Sequence, residues 1–282
     1  MADTWYDEHG DLPPPQIDLM GWLRAVARGI PLLIVVSSGL LLMLLLRLIE
    51  RPLCGLRRPV TPYITQFVCR AFFFILGMRH CAIGQPMRGA GAVVANHSSW
   101  LDIFALNMRK RIYFVSKSEV AAWPGIGLLA KVTGTVFIER RRRDAAAQVS
   151  LFRDRLAAGQ KLLFFPEGTS TDGRRVLPFK PTLFAAFFDQ ALIDHMQVQP
   201  VSVVYDAPLG RDPRFYGWWG GMAFGENLMT MLSIKEHGAV TVIYHDPVRV
   251  ADYADRKALA KVTEVAVRSG LTDHQAMKIS QG

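Results

Sequence analysis

The chain has 282 residues, 50% of them hydrophobic, and this length and composition exclude a disordered or fibrous protein. Its 33 Lys and Arg outnumber 24 Asp and Glu, and the net charge of +9 favours anionic partners: nucleic acid, a phospholipid surface, a phosphorylated substrate or an acidic carrier protein. Cys54, Cys69 and Cys81 are odd in number and lack CxxC spacing, so neither a zinc site nor a disulfide framework is indicated. A reducing compartment is the simplest expectation.

An apolar segment near the start of the chain is the first predicted helix. Residues 30–46, IPLLIVVSSGLLLMLLL, carry no charge, and as a helix they span about 25 Å, slightly less than the roughly 30 Å of a hydrocarbon core. The alternative is a buried core helix, but we favour membrane embedding because a second apolar stretch, residues 67–78, follows closely. A cleaved signal peptide is not expected, since the run begins late, follows an acidic head and ends at Arg47 without a small-residue cleavage site.

Arginines flank this segment unequally. Arg24 and Arg28 precede it, whereas four arginines separate it from the second apolar stretch: Arg47, Arg51, Arg57 and Arg58. If the segment spans a membrane, this imbalance places its C-terminal side in the cytoplasm; if it only dips in, the same arginines suit anionic headgroups at the cytoplasmic face. We therefore expect residues 1–79 to anchor the protein at the cytoplasmic face of the inner membrane.

Residues 80–282 have the pattern of a single α/β domain. Seven short β-branched or aromatic runs alternate with helix-compatible stretches, which predicts a largely parallel sheet of seven strands flanked by helices: HCAIG, GAVVAN, RIYFVS, GTVFIE, KLLFFP, QPVSVVY and AVTVIYHD. Ligands of such sheets bind at the carboxyl ends of the strands. The residues at or just after the ends of three of these runs are therefore the first candidates for chemistry: Asn96, His97, Arg140, Pro166, Glu167 and Gly168.

The segment NHSSWLD, residues 96–102, places His97 five positions before Asp102. In one continuous helix the two side chains would point about 140° apart. They can meet if His97 lies in the turn after a strand and Asp102 in the first turn of the next helix, with Ser98 or Ser99 as the N-cap. Asp102 would then accept the Nδ1 proton and leave Nε2 as a base. On spacing alone, the alternative is a capping aspartate beside an unrelated histidine.

Other catalytic templates are missing from the sequence. There is no HExxH, no Walker loop and no G-x-S-x-G elbow, the nearest approach being GTSTD, which ends in Asp172. An activated histidine without a nucleophile elbow favours general-base catalysis with no covalent intermediate. No metal site or bound cofactor is predicted, and the lack of an interleaved basic and aromatic motif disfavours nucleic-acid binding.

Four motifs in this part of the chain resemble the glycerolipid acyltransferases, specifically the bacterial 1-acylglycerol-3-phosphate acyltransferase family. NHSSWLD resembles that family's first motif, N-H-x4-D. The family's second, third and fourth motifs have counterparts here in GTVFIER, FFPEGTS and QPVSVVY. The four follow the family's order and cover about residues 90–205. The apolar N-terminal region also resembles the membrane-anchoring helices that often precede this domain.

The resemblance implies roles for individual residues. His97 would be the general base and Asp102 its orienting partner. Arg140, which closes the second motif, would bind the acceptor's phosphate, with Lys180 nearby. Pro181 departs from the family here, since many relatives carry a second basic residue after this lysine. The other implied acceptor-binding residues are Ser98, Glu167, Gly168 and Thr169.

The implied reaction transfers a fatty acyl group from an acyl thioester, of acyl carrier protein or coenzyme A, to the free sn-2 hydroxyl of 1-acylglycerol-3-phosphate, forming phosphatidic acid. Backbone N–H groups near the helix start would stabilise the oxyanion. The alternative is a lyso-ornithine lipid O-acyltransferase, because residues 212–228 resemble a stretch of such enzymes. Trp218 and Trp219 within that stretch are either packed core residues or a pair at the lipid interface. A non-catalytic membrane lipid-binding module is a third interpretation.

Overall fold

The computed structural model describes residues 4–8, 10–13, 16–89, 91–123, 125–138 and 145–280. The α-helices in these ranges are α1 (Leu19–Cys54), α2 (Thr61–Leu76), α3 (Asp102–Asn107), α4 (Ile126–Thr133), α5 (Ala145–Ala157), α6 (Phe224–Ser233) and α7 (Arg256–Ser280). The strands are β1 (Arg79–Ile83), β2 (Gly91–Ala95), β3 (Tyr113–Lys117), β4 (Val136–Ile138), β5 (Lys161–Phe164), β6 (Gln197–Asp206), β7 (Ala239–Tyr244) and β8 (Val248–Arg249). Short 3-10 helices cover Ser118–Ala122, Pro181–Phe188 and Val250–Asp252.

All seven predicted strands are present, and they form one sheet in the order β1-β7-β6-β2-β5-β3-β4. The prediction of a largely parallel sheet is confirmed: antiparallel pairing is confined to β6 with β7 and β6 with the two-residue β8. The sequence did not reveal β8, because a run of two residues has no readable alternation. The predicted division of the chain after residue 79 falls inside β1 and stays a prediction.

The antiparallel pairing of β6 with β7 determines where the long connection between them lies. Asp206 at the end of β6 pairs with Ala239 at the start of β7, so residues 207–238 leave and re-enter the sheet at the same edge. The carboxyl ends of β2, β5 and β6 lie at this edge, where the first motif follows β2 and the third motif follows β5. The connection, which includes Trp218 and Trp219, is therefore held over that edge.

The sheet is covered on both faces, and β2 shows how its sequence divides the core. Val93 and Ala95 pack in the cluster that contains residues of α2, α3 and α6. Ala92 and Val94 point the other way, into the cluster with residues of α5, the 181–188 turn and α7. The period-2 alternation of a strand buried on both faces makes β2 an uninterrupted apolar run.

The long helix α1 packs on the domain at its N-terminal end and exposes most of its apolar surface. Arg24 Nε donates to Ser233 O at 2.6 Å, and Arg28 Nη1 donates to Leu232 O at 3.0 Å, which ties α1 to the end of α6. Its most apolar 18-residue window has a mean hydropathy of 2.6 and is only 17% buried. A helix of 36 residues with this hydropathy is long and apolar enough to cross a membrane, and its exposure indicates membrane association.

Candidate active site

The turn after β2 fixes His97 through its backbone. The His97 N–H donates to Glu167 Oε1 at 2.7 Å, and its carbonyl accepts the Thr171 N–H at 2.9 Å. The imidazole stacks on the Phe165 ring with 4.0 Å between centroids and 11° between planes. Its side chain is 21% exposed, so the ring is oriented by its neighbours yet accessible from a cavity.

Asp102 is the first residue of α3 and is completely buried. Its Oδ2 lies 2.8 Å from His97 Nδ1 and accepts the N–H groups of Ser98 at 2.8 Å and Ser99 at 3.1 Å. Its Oδ1 accepts the Tyr205 hydroxyl at 2.7 Å. Four donors surround this side chain, an arrangement that suits a carboxylate, which only accepts hydrogen bonds. In a neutral His97 ring, Nδ1 therefore carries the proton and Nε2 has the lone pair that a general base needs.

The geometry brings the His97 and Asp102 side chains together, while the role of the pair in proton transfer stays a prediction. The side chains meet because a turn and the start of a helix separate them, as the proton-transfer interpretation requires. The expected N-cap is wrong: residue 101 precedes α3 without a side-chain cap, and Asp102 itself takes the amides of Ser98 and Ser99. Those two amides bond to Asp102 and are not available to an oxyanion, and stabilisation of the oxyanion by backbone N–H groups near the helix start stays a prediction.

Tyr205 is the site residue that the sequence reasoning missed. It closes the fourth motif at the end of β6 and is 5% exposed, with its hydroxyl turned to Asp102. Burial and the neighbouring Asp102 charge raise the pKa of Tyr205 well above its ordinary value, so the hydroxyl remains a donor. A lone tyrosine at a strand end is a weak signal, and only the pairing of β6 with β2 brings it beside the first motif.

Glu167 shapes the site from beneath. It is 1% exposed, and besides the His97 amide it accepts the Leu177 N–H on Oε2 at 2.6 Å. Burial raises the pKa of Glu167 to about 8, although the two backbone donors work in the opposite direction. Gly168 follows in the left-handed region at φ 77°, where a side chain would be strained, and this turn exposes Thr169. Glu167 therefore links the loop of His97 to the loop of Leu177, and its predicted contact with the acceptor stays a prediction.

A cavity of about 330 Å³ opens beside His97. Its polar lining includes Thr169, Ser170 and Lys117. Apolar side chains from the β3, β4, α5 and β5 side of the sheet supply much of the remainder: Val115, Val120, Trp123, Ile138, Phe152, Phe164, Phe165 and Leu183. A titratable ring at an apolar cavity with a few polar groups is the usual composition of a site for an amphipathic ligand.

The other predicted acceptor-binding residues divide into those at the cavity and those away from it. Gly168 and Thr169 line it. Ser98 does not: it is fully buried, and its Oγ lies 3.3 Å from Asn96 Nδ2, because the turn folds inward beneath His97. Lys180 is half-buried outside the lining, with its N–H bonded to the carbonyl of residue 166 at 2.9 Å. Arg140 lies outside the described residues.

The two tryptophans of the 212–228 stretch are packed, and both line the cavity. Trp219 is 2% exposed, and Trp218 donates its backbone N–H to Ser98 O at 2.8 Å. The core interpretation of Trp219 therefore fits its burial, while its position adds a wall to the site. Among the described residues, no group of three His, Cys, Asp or Glu side chains is arranged to hold a metal ion.

Comparison with known proteins extends the resemblance to nearly the whole chain. An acyltransferase family model matches residues 84–204. The lyso-ornithine lipid O-acyltransferase of Rhodobacter capsulatus is 56% identical over 264 residues, covering 93% of this chain and 96% of that protein. The chain belongs to the acyltransferase family. It is an O-acyltransferase that acts on lysolipids, and residues of the first, second and third motifs line the cavity, among them His97, Ile138 and Thr169.

Two further relatives define how specific the match is. The 1-acyl-sn-glycerol-3-phosphate acyltransferase of Neisseria gonorrhoeae is 34% identical over 185 residues. The alignment covers 64% of this acyltransferase and 69% of the Neisseria protein. The crystal structure of the 1-acyl-sn-glycerophosphate acyltransferase from Thermotoga maritima superposes with a TM-score of 0.63 at 20% identity, covering 91% of this chain and 98% of that one. At this identity the structural likeness shows the fold alone.

Proposed function

We propose that this acyltransferase esterifies the hydroxyl of a lyso-ornithine lipid with a fatty acyl group taken from an acyl thioester. The observation that carries the choice of acceptor is the 56% identity to the Rhodobacter capsulatus lyso-ornithine lipid O-acyltransferase over 96% of that protein. The phosphatidate-forming relative matches at 34% and over a shorter span. Phosphatidic acid synthesis, the leading expectation from the motifs, thus becomes the second candidate.

The proposed mechanism begins at His97 Nε2. This nitrogen removes the proton from the acceptor hydroxyl as the hydroxyl oxygen attacks the thioester carbonyl carbon. The imidazolium that forms is stabilised by the Asp102 carboxylate at 2.8 Å from Nδ1. When the tetrahedral intermediate collapses, the carbon–sulfur bond breaks and the imidazolium returns the proton to the leaving thiolate. The ester and a free thiol are the products, and His97 is neutral again.

The cavity supports an amphipathic donor and acceptor. Its apolar lining along β3, β5 and α5 suits an acyl chain, and its polar residues, Thr169 and Ser170, suit a headgroup. The exposed apolar surface of α1 would hold the domain at a membrane, where the lipid acceptor resides. The arginines that flank the apolar segment support a position on the cytoplasmic side of the membrane, where acyl carrier protein and coenzyme A thioesters are available.

The test compares two acceptors with one purified protein. The full chain in detergent micelles receives a palmitoyl thioester of acyl carrier protein or coenzyme A, with either lyso-ornithine lipid or 1-acylglycerol-3-phosphate, and mass spectrometry identifies the diacyl product. We expect the higher kcat/KM with lyso-ornithine lipid. A higher value with the phosphate acceptor would overturn the proposal in favour of phosphatidate synthesis. His97→Ala should lower turnover by about 10²- to 10⁴-fold while the protein remains folded.

A further inference from the structure

The segment that precedes α1 lies across the active-site cavity. We call residues 4–8 and 10–13 the N-terminal arm. Thr4 lines the cavity together with His97, and the Trp5 N–H donates to Thr169 Oγ1 at 3.2 Å. The arm thus touches the third motif directly, at a threonine that also lines the cavity, although it is 164 residues away in the chain.

An ion pair between a partly exposed arginine and a buried aspartate links the arm to the connection between β6 and β7. Arg214 Nη1 lies 2.7 Å from Asp7 Oδ2, and the Asp7 side chain is only 1% exposed. Arg214 is held in place by a second carboxylate, Asp212, at 3.0 Å. An aspartate buried this deeply needs its partner, because an unpaired charge would be strongly destabilised. The pair therefore fixes the position of the arm specifically, which scattered surface contacts would not do.

Aromatic and cationic side chains continue the contact toward the cavity. The Trp5 ring meets Trp219 edge-on, with centroids 6.2 Å apart and planes at 61°. The Arg175 guanidinium lies 5.0 Å from the Trp5 ring, and Arg214 lies 5.8 Å from the Trp219 ring. Trp219 lines the cavity, and its buried Nε1 has no hydrogen-bond partner among the described residues. A buried indole N–H is costly to leave unpaired, which makes a ligand oxygen a fitting acceptor.

We propose that the N-terminal arm is a wall of the acceptor site, in which Trp5 is a positioning residue and Asp7 the latch. The contacts of Trp5 with Trp219 and Thr169 hold these two residues in position, so that both face the polar headgroup of the acceptor lipid. The acyl chain of the donor instead contacts the apolar lining around Phe152 and Phe164. This inference rests on the proposed acyl transfer to a lysolipid and adds a determinant of how the acceptor is recognised.

The arm's role predicts a selective kinetic defect. Asp7→Asn removes the latch charge, and Trp5→Ala removes the ring that supports Trp219. For each variant we expect the acceptor KM to rise about tenfold, which corresponds to a loss of about 1.4 kcal/mol of acceptor binding, with kcat and the donor KM little changed. Glu8→Gln is the matched control, because Glu8 is an exposed acid on the same arm, and it should retain the wild-type acceptor KM.

The experiment measures kcat, acceptor KM and donor KM in detergent micelles with palmitoyl thioester and whichever lysolipid the wild-type protein uses. The wild-type assay alone decides the proposed function, so its failure cannot be confused with failure of the arm. Thermal unfolding shows that each variant is folded. Asp7→Asn should raise the acceptor KM less in an Arg214→Gln background than in the wild-type protein, because the Asp7–Arg214 pair is already absent there. Unchanged acceptor KM in both Asp7→Asn and Trp5→Ala, or equal changes in donor and acceptor KM, would overturn the proposal.

Discussion

Substitution of Asp102 by Asn separates the charge of this residue from its geometry. The asparagine carbonyl can occupy the Oδ2 position, where it accepts the His97, Ser98 and Ser99 N–H groups. Its NH2 group can donate to the Tyr205 oxygen, whose hydroxyl hydrogen is free to rotate. The fold and the orientation of His97 are therefore retained, and the lost interaction is the attraction between the carboxylate and the imidazolium formed during acyl transfer.

The size of the effect follows from Coulomb's law. Nδ1 and Oδ2 are 2.8 Å apart. With the charges spread over the ring and the carboxylate, an effective separation of about 4 Å and an effective dielectric constant of about 20 give about 4 kcal/mol. Since each 1.4 kcal/mol is about a factor of ten in rate, kcat should fall roughly 10³-fold. The acceptor KM should change little, because Asp102 is completely buried and does not line the cavity.

The assay is acyl transfer from a palmitoyl thioester to the preferred lysolipid at saturating acceptor. Asp206→Asn is the matched control, since it removes a second Asp–His pair, with 3.1 Å between Asp206 Oδ1 and His274 Nε2, that lies outside the cavity lining. The control should keep wild-type kcat. A folded Asp102→Asn protein whose kcat is within about tenfold of wild type would refute the argument that Asp102 stabilises a charged imidazole.

Three further substitutions test the surroundings of the pair. Tyr205→Phe deletes the 2.7 Å bond to Asp102, worth about 1.5–3 kcal/mol net, so both the unfolding temperature and kcat should fall, and no change in either would contradict the network. Because the folded-state pKa of Glu167, about 8, is above its ordinary 4.5, its folded form retains a proton that the unfolded chain loses, and this part of the stability declines as pH rises between these values. The Glu167→Gln variant should lack that decline. Identical pH profiles of thermal unfolding for the wild-type protein and this variant would show that Glu167 does not contribute it. Val120→Trp narrows a cavity of about 330 Å³ and should shift donor preference to shorter acyl thioesters, whereas unchanged chain-length selectivity would place the acyl chain elsewhere.

Much of the fold could be predicted because its signals are local. The seven longer strands are short apolar runs bounded by turn residues, and their alternation with helical stretches indicates a parallel sheet. The edge of the sheet that carries the site follows from the same rule, since His97 comes directly after β2 and Glu167 shortly after β5. Helix caps were less predictable, as Asp102 shows: a side chain can take the amides before a helix instead of leaving them to a serine.

The missed features depend on contacts between distant segments. Nothing in the local sequence places Asp7 against Arg214, 207 residues away, or turns Ser98 inward beneath the histidine. Tyr205 had a readable position in the fourth motif, but its role appears only when β6 lies beside β2. Residues whose partners are distant in the chain can be identified only once the order of the strands in the sheet is known. The strand pattern alone does not give that order, because many strand orders are compatible with the same succession of strands and helices.

The first, third and fourth motifs, separate in the sequence, form one hydrogen-bonded unit. Glu167 holds the amide of His97, and the Thr171 amide holds its carbonyl. Tyr205 holds Asp102, while Val203 exchanges hydrogen bonds with the Asn96 side chain at 2.7 and 2.9 Å. Each motif thus satisfies polar groups that another motif leaves buried, which explains why they occur together. Loss of one hydrogen bond between motifs therefore disturbs the geometry on which the next hydrogen bond depends. For this reason the free-energy changes of single substitutions in these motifs will not add.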